Sequence, residues 1–229
     1  IAKLANNTFI TTKITFGNMI SHLCQEIPGA DVDVVTEALG HDSRIGSKYL
    51  KGAIGYGGPC YPRDNIALTA FANQIGTKSD LSQTTHMLNR EEVELLASLI
   101  GTHLEISTTV GILGLAYKTD TDVVEESQGL LLAERLASSG VSVVAYDPIA
   151  MSQARLSLST SVTLCESSQE CIERSDVVVI TTPWKEFETL ETKFFDPVGS
   201  KILIDCWRLL KNTACAKATK YIPLGIGPP

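Results

Sequence analysis

Four short runs rich in valine and isoleucine, at residues 108–115, 141–146, 177–181 and 202–204, constrain this chain more than any other feature. Each is short for a helix and apolar on successive residues, which leaves no face for solvent; that is the pattern of a strand covered on both sides. Segments with helical spacing at 130–138 and 165–174 separate them. Strands alternating with helices predict a parallel α/β unit in the second half of the chain.

The first half reads differently. Phe9, Phe16, Met19, Ile20, Leu23 and Ile27 recur at three- and four-residue steps, which predicts a helix over 4–27, stopped by Pro28-Gly29. A shorter helix follows over 31–39 with Asp31 as its cap, and residues 40–64, rich in glycine, form a long ordered loop. Regular structure resumes near Asn65, breaks around Gly76 and runs again over 80–100, where Leu81, Met87, Leu88, Leu95, Leu96 and Leu99 mark a stripe. The chain of 229 residues is long enough for one large or two small domains, and 44 % hydrophobic residues are ample for their cores.

The net charge of −7 narrows the partners. Both halves are mildly acidic, so no basic face is available to neutralise a nucleic-acid backbone. A small anion remains open to a few local Lys and Arg residues. Cys24, Cys60, Cys165, Cys171, Cys206 and Cys215 include no C-x-x-C pair, which argues against structural zinc and for a reducing compartment. No apolar run reaches the ~18 residues of a membrane span, and the expected location is the cytoplasm.

Gly111-Ile112-Leu113-Gly114-Leu115-Ala116, with Asp147 at the end of the next strand, imitates a dinucleotide fingerprint. The spacing is G-x-x-G, however, where the turn needs G-x-G-x-x-G for the backbone to approach a pyrophosphate. A Rossmann-like unit that uses its strand ends for another ligand is the favoured reading. Lys118, just past a strand's carboxyl end, is then either a ligand group or a solvated loop lysine.

Gly55-Tyr56-Gly57-Gly58-Pro59-Cys60-Tyr61-Pro62-Arg63-Asp64 is the most unusual segment. Its glycines let backbone pass close to a ligand, and two prolines stiffen the turn around one cysteine. Cys60 is read either as a nucleophile with Asp64 and Arg63 beside it, or as a loop cysteine without chemistry.

The same segment resembles the G-[FY]-G-G-x-C-[FL]-P-[KR]-D signature of the UDP-glucose and GDP-mannose dehydrogenases. Lys3 to Phe9 resembles the family's K-x-x-x-N helix, residues 114–122 its G-[LF]-[AS]-[FY]-K-x-x-T-[DG] segment, and Tyr146-Asp147-Pro148 its strand end. The resemblance implies an α/β protein in two parts. Residues 1–105 would be an all-helical central dimerisation domain carrying the cysteine loop, and 106–229 a Rossmann-like domain that binds the UDP-sugar. The amino-terminal NAD-binding domain of the family is expected to be missing, so the chain is read as a fragment. By the same resemblance the activity is four-electron oxidation of the C6 alcohol of a nucleotide sugar by NAD, in a homodimer. UDP-glucose is the first choice of substrate; UDP-N-acetylmannosamine, its galacto counterpart and GDP-mannose are the alternatives. A non-catalytic nucleotide-sugar-binding module and a purely structural dimerisation unit stand as readings of other classes.

The resemblance also assigns residues. Cys60 is the nucleophile, Lys3 and Asn7 steady the substrate oxygen, and Asp64 manages water or the neighbouring lysine. Tyr49, Lys51, Tyr56, Gly57, Tyr117, Lys118 and Arg208 are assigned to the nucleotide sugar, Arg44 to sugar held by a partner subunit, and Arg63 to the cofactor. No metal is implied. The chain departs from the pattern at Pro59, where serine is usual, at Arg63, where lysine is common, at Glu125, where relatives carry arginine, and in Asp205-Cys206-Trp207-Arg208, where relatives read D-G-R.

Overall fold

The computed structural model describes residues 1–105 and 108–228. They form two compact units, Ile1–Glu92 with Leu224–Pro229, and Val93–Pro223. The division expected between residues 105 and 106 touches Ile106, outside the described residues, and the compact units part earlier, within a helix.

The first unit holds α1 (Ala2–Glu26), α2 (Val32–Gly40), α3 (Tyr61–Gln74) and the start of α4 (Asp80–Gly101). Asp31 caps α2, its carboxylate accepting from the Asp33 N–H at 2.9 Å. The loop before α3 ends at Cys60 rather than Asp64. The reason lies in the helix-start chemistry of the segment, with Pro62 and Asp64 both in the first turn, where a missing N–H costs nothing and a carboxylate is favoured. The tail returns to this unit: the Val32 N–H donates to the Gly225 carbonyl at 2.9 Å and the Gly29 N–H to that of Pro228 at 2.8 Å.

The burial in this unit runs opposite to what the apolar stripes suggest. On α1 the buried residues are Thr8, Thr11, Thr15, Gly17, Asn18, Ser21 and Cys24. Phe9, Phe16, Met19, Leu23 and Ile27 stand 42–66 % exposed. On α4 the inward positions of the first unit are Ser82, Thr85, Asn89 and Glu92, while Leu81, Met87 and Leu88 face out. Small and polar side chains at helical spacing thus line the inward faces of α1 and α4, with Val32, Leu50, Ile54 and Tyr56 buried in the same unit. Thr8, Asn18 and Asn89 hydrogen-bond across to the loop and to α3. Past Glu92 the inward residues of α4 turn apolar, with Val93, Leu96 and Ile100.

The second unit is an α/β sandwich. Its strands are β1 (Thr109–Leu113), β2 (Ser142–Tyr146), β3 (Val162–Leu164), β4 (Val177–Ile180), β5 (Ile202–Asp205) and β6 (Lys220–Pro223), all parallel in the order β3-β2-β1-β4-β5-β6. α5 (Gln128–Ser138), α6 (Met151–Ser157), α7 (Ser168–Glu173) and α8 (Ala214–Ala218) alternate with them. The order reverses between β1 and β4, and ligands of open parallel sheets bind outside the carboxyl ends at such a point. The central strands β1 and β4 are buried on both faces, as their continuous apolar runs require. No helix among the described residues is long and apolar enough to cross a membrane.

Candidate active site

In the first unit the sequence-predicted residues converge on Asp64. Lys3 Nζ lies 2.7 Å from Asp64 Oδ2, and Asn7 Nδ2 donates to the same oxygen at 2.6 Å. One helical turn separates Lys3 from Asn7, so both reach one carboxylate from one face of α1. The Asp64 side chain is 6 % exposed and that of Lys3 66 %, so the cluster runs from the interior to solvent. Burial pushes the Asp64 carboxyl up, but the hydrogen bonds from Lys3 and Asn7, with the charges of Lys3 and Arg63, outweigh it and hold the group below the usual carboxylate range. Asp64 is therefore an anion at neutral pH.

Cys60 sits one turn before Asp64, at the N-cap of α3. It is exposed, whereas the other five cysteines are buried. Its carbonyl accepts from the Asp64 N–H at 2.8 Å, which ties thiol and carboxylate into one helical turn.

The loop that delivers Cys60 runs against α1. An added methyl on Gly52 would lie 2.5 Å from the Gly17 carbonyl oxygen, so glycine is required for this approach. Asn65 donates to the Tyr56 hydroxyl and to Thr11 Oγ1, each at 3.0 Å, and accepts from Thr8 Oγ1 at 2.8 Å. Burial pushes the Tyr56 phenol up to about 12, against the pull of the Asn65 and Thr11 hydrogen bonds, so it stays a neutral anchor. Tyr49 is exposed with φ of 60°, and Lys51 is exposed beyond it. Arg44 is exposed and forks onto Asp42 of its own loop, Nη2 to Oδ2 at 2.6 Å. Arg63 is exposed on the first turn of α3.

In the second unit, Tyr117 and Lys118 follow the carboxyl end of β1, with Lys118 Nζ 5.5 Å from the Tyr117 ring centroid. Arg208 follows β5, is 6 % exposed and has φ of 59°, a conformation costly for a side chain of its size.

Asp147 has no room for a ribose. Its Oδ2 accepts from Leu115 N at 2.7 Å, Ala116 N at 2.9 Å and Trp184 Nε1 at 3.0 Å. Its Oδ1 accepts from Ile149 N at 2.9 Å and Ala150 N at 2.8 Å. The residue is fully buried, and its acceptor sites are filled from within. Gly114, with φ of 111°, is packed so closely against Thr182 that an added methyl would lie 2.6 Å from that side chain. The G-x-x-G turn is closed by the chain itself.

Residues 1–91 match the model of the central domain of the UDP-glucose/GDP-mannose dehydrogenase family, and residues 111–212 that of its UDP binding domain. The chain belongs to this family. Among similar proteins, UDP-glucose 6-dehydrogenase YwqF of Bacillus subtilis is 34 % identical over 97 % of this chain and 51 % of its own length. UDP-glucose 6-dehydrogenase AglM of Haloferax volcanii is 33 % identical over 91 % of this chain and 48 % of its own. A solved UDP-glucose dehydrogenase from the archaeon Pyrobaculum islandicum superposes with a TM-score of 0.86 at 33 % identity, over 96 % of this chain and 49 % of that one. The chain spans about half the length of the curated relatives it matches.

For a member of the UDP-glucose/GDP-mannose dehydrogenase family, the first unit thus brings together Lys3, Asn7, Cys60 and Asp64, with Arg63 on the same turn. Tyr117, Lys118 and Arg208 belong to the second unit. Sequence reasoning missed the buried asparagines Asn18 and Asn89, because the apolar stripes of α1 and of the first part of α4 pointed to the opposite faces as the interior.

Proposed function

We propose that this chain supplies the thiol and the nucleotide-sugar site of an NAD-dependent nucleotide-sugar 6-dehydrogenase, with UDP-glucose as its substrate. The observation that carries this reading is an exposed Cys60 at the start of α3, one turn from an Asp64 anion gripped by Lys3 and Asn7. Lys3 has three N–H groups and Asn7 two, so each can serve Asp64 and a substrate oxygen together. Positive charge and an amide N–H there stabilise the oxyanion that develops at C6. The Cys60 thiolate adds to the aldehyde carbon, forming a C–S bond and an alkoxide that Lys3 and Asn7 hold. After the second oxidation this carbon is a thioester. Water oriented by Asp64 attacks it, the C–S bond breaks, and carboxylate and thiolate separate.

NAD⁺, when bound, is the hydride acceptor for both oxidations. The closed turn at Gly114 and the filled Asp147 do not fit a dinucleotide, so within this chain the assigned contact is Arg63, a guanidinium suited to phosphate. Tyr117, Lys118 and Arg208, with Tyr49, Lys51, Gly57 and Tyr56 of the loop, are assigned to the nucleotide sugar. Arg44 is assigned to sugar on a second copy. In the complete protein, UDP-glucose oxidation is expected to yield two NADH per uronate, read by absorbance and product chromatography. One NADH per sugar, with aldehyde as the end product, would refute the assignment.

The exposed stripe on α1 supports a homodimer through the central helices. Phe9, Phe16 and Leu23 recur every seven residues with Met19 between them, the spacing of a helix that pairs along its length. A second copy fits because a two-fold axis brings the same stripe to itself. Phe16→Glu combined with Leu23→Glu is expected to halve the mass measured by light scattering; an unchanged dimer mass would exclude this face.

A further inference from the structure

We infer that Asn18 and Asn89 are the positioning residues of the cysteine loop, an assignment that rests on the nucleophilic reading of Cys60. Residues 52–54 and 56–58 of this loop are buried, yet the segment belongs to no helix or strand whose ladder would satisfy its backbone. Buried N–H and C=O groups need partners, and a primary amide is the side chain that offers a donor and an acceptor together. Two asparagines do this from two different helices. Asn18 of α1 accepts from the Ala53 N–H at 3.0 Å and donates to the Ile54 carbonyl at 3.0 Å. Asn89 of α4 accepts from the Tyr56 N–H at 2.7 Å and donates to the Tyr56 carbonyl at 2.9 Å. They are 1 % and 3 % exposed, respectively, so water does not compete for these bonds.

The pair acts on Cys60 through the chain. Downstream, the sulfur-bearing residue is fixed by the first turn of α3. Upstream, only Gly57, Gly58 and Pro59 separate it from the residue that Asn89 holds, so the entry of the loop into the helix is set by that grip. Neither asparagine needs to touch substrate. Their effect falls on the step that needs the sulfur in place, and a misplacement of the order of 1 Å costs about 100-fold in rate.

The test uses the complete protein with UDP-glucose and NAD⁺, on Asn18→Ala, Asn89→Ala and Asn89→Asp, which keeps the acceptor for Tyr56 N–H but turns a second acceptor toward the Tyr56 carbonyl. Below each variant's unfolding midpoint, both alanine variants are expected to lower kcat by about 10- to 100-fold; KM for UDP-glucose moves less than about threefold in Asn18→Ala and rises further in Asn89→Ala, whose partner Tyr56 is assigned to the nucleotide sugar. NADH per sugar falls below two as aldehyde escapes, and Asn89→Asp does no better than Asn89→Ala, because its carboxylate repels the Tyr56 carbonyl that the amide held. Unchanged kcat and stoichiometry with only a lowered midpoint would overturn the proposal. Hydrogen exchange is the second arm: the Ala53 amide in Asn18→Ala and the Tyr56 amide in Asn89→Ala exchange at least about tenfold faster, with α1 and α3 unchanged. Uniform or absent acceleration overturns the clamp. If the wild-type protein makes no uronate, the dehydrogenase reading fails by itself, and the exchange arm still decides whether the loop is held this way.

Discussion

Replacing Cys60 with serine is expected to abolish uronate formation by the complete protein, a loss of at least about 1000-fold, comparable to removing a nucleophile in other covalent enzymes. The reasoning is chemical. An aldehyde has a hydrogen but no electron-rich tetrahedral carbon from which a hydride can depart, and addition of a thiolate creates one. A serine hydroxyl in the same place is far less ionised at neutral pH, and an ester formed on it would be hydrolysed more slowly than a thioester. The side chain is exposed, so the exchange of sulfur for oxygen disturbs no packing. Unfolding should be unchanged, which separates chemistry from stability. The check is product analysis after single turnover: aldehyde, or an ester trapped on Ser, in place of carboxylate. Carboxylate production at the wild-type rate would exclude a covalent role for the thiol.

The contrast between the helices and their cores bears on how far such a site can be read from sequence. Helix spacing located α1, α2 and α4 to within a few residues, because local periodicity depends on neighbours along the chain. It did not say which face is inside. The rule that apolar residues go in assumes that the chain covers its own apolar surface, and Phe9, Phe16 and Leu23 are exposed in this unit. The Gly-Pro cluster before Cys60 was legible as a rigid bend. What holds the bend was not, since Asn18 and Asn89 are 35 and 33 positions from the backbone groups they grip at Ala53 and Tyr56. Lys3, Asn7 and Asp64 were marked by resemblance, and their meeting on one carboxylate follows from α1 packing on α3. In the second unit the buried strands announced themselves. β3 has three residues with threonine at its centre, and β6 is an edge strand of mixed character, so neither shows the continuous apolar run of its neighbours.

Asp147→Ala is expected to be the most destabilising single change in the second unit, although the residue at first suggests a ribose ligand. Its carboxylate gathers five N–H donors from the segments that follow β1, β2 and β4. Removing it leaves those donors buried and unpaired at about 1–3 kcal/mol each. Water admitted to the space left behind recovers part of this, so the net cost is roughly 3–5 kcal/mol. For a unit of this size that lowers the unfolding midpoint by about 10–20 °C. Asp147→Asn should do almost as badly, because its NH₂ group would face donors where an oxygen accepted them. Asp176→Asn is the control: its carboxylate also takes one backbone N–H, that of Thr109 at 2.8 Å, but in an exposed setting where solvent replaces the bond at a cost below about 1 kcal/mol. Calorimetric unfolding of the three variants separates the possibilities. Equal midpoints for Asp147→Ala and the control would mean that the carboxyl end of the sheet is held by something other than this carboxylate, and would reopen Asp147 to a ligand.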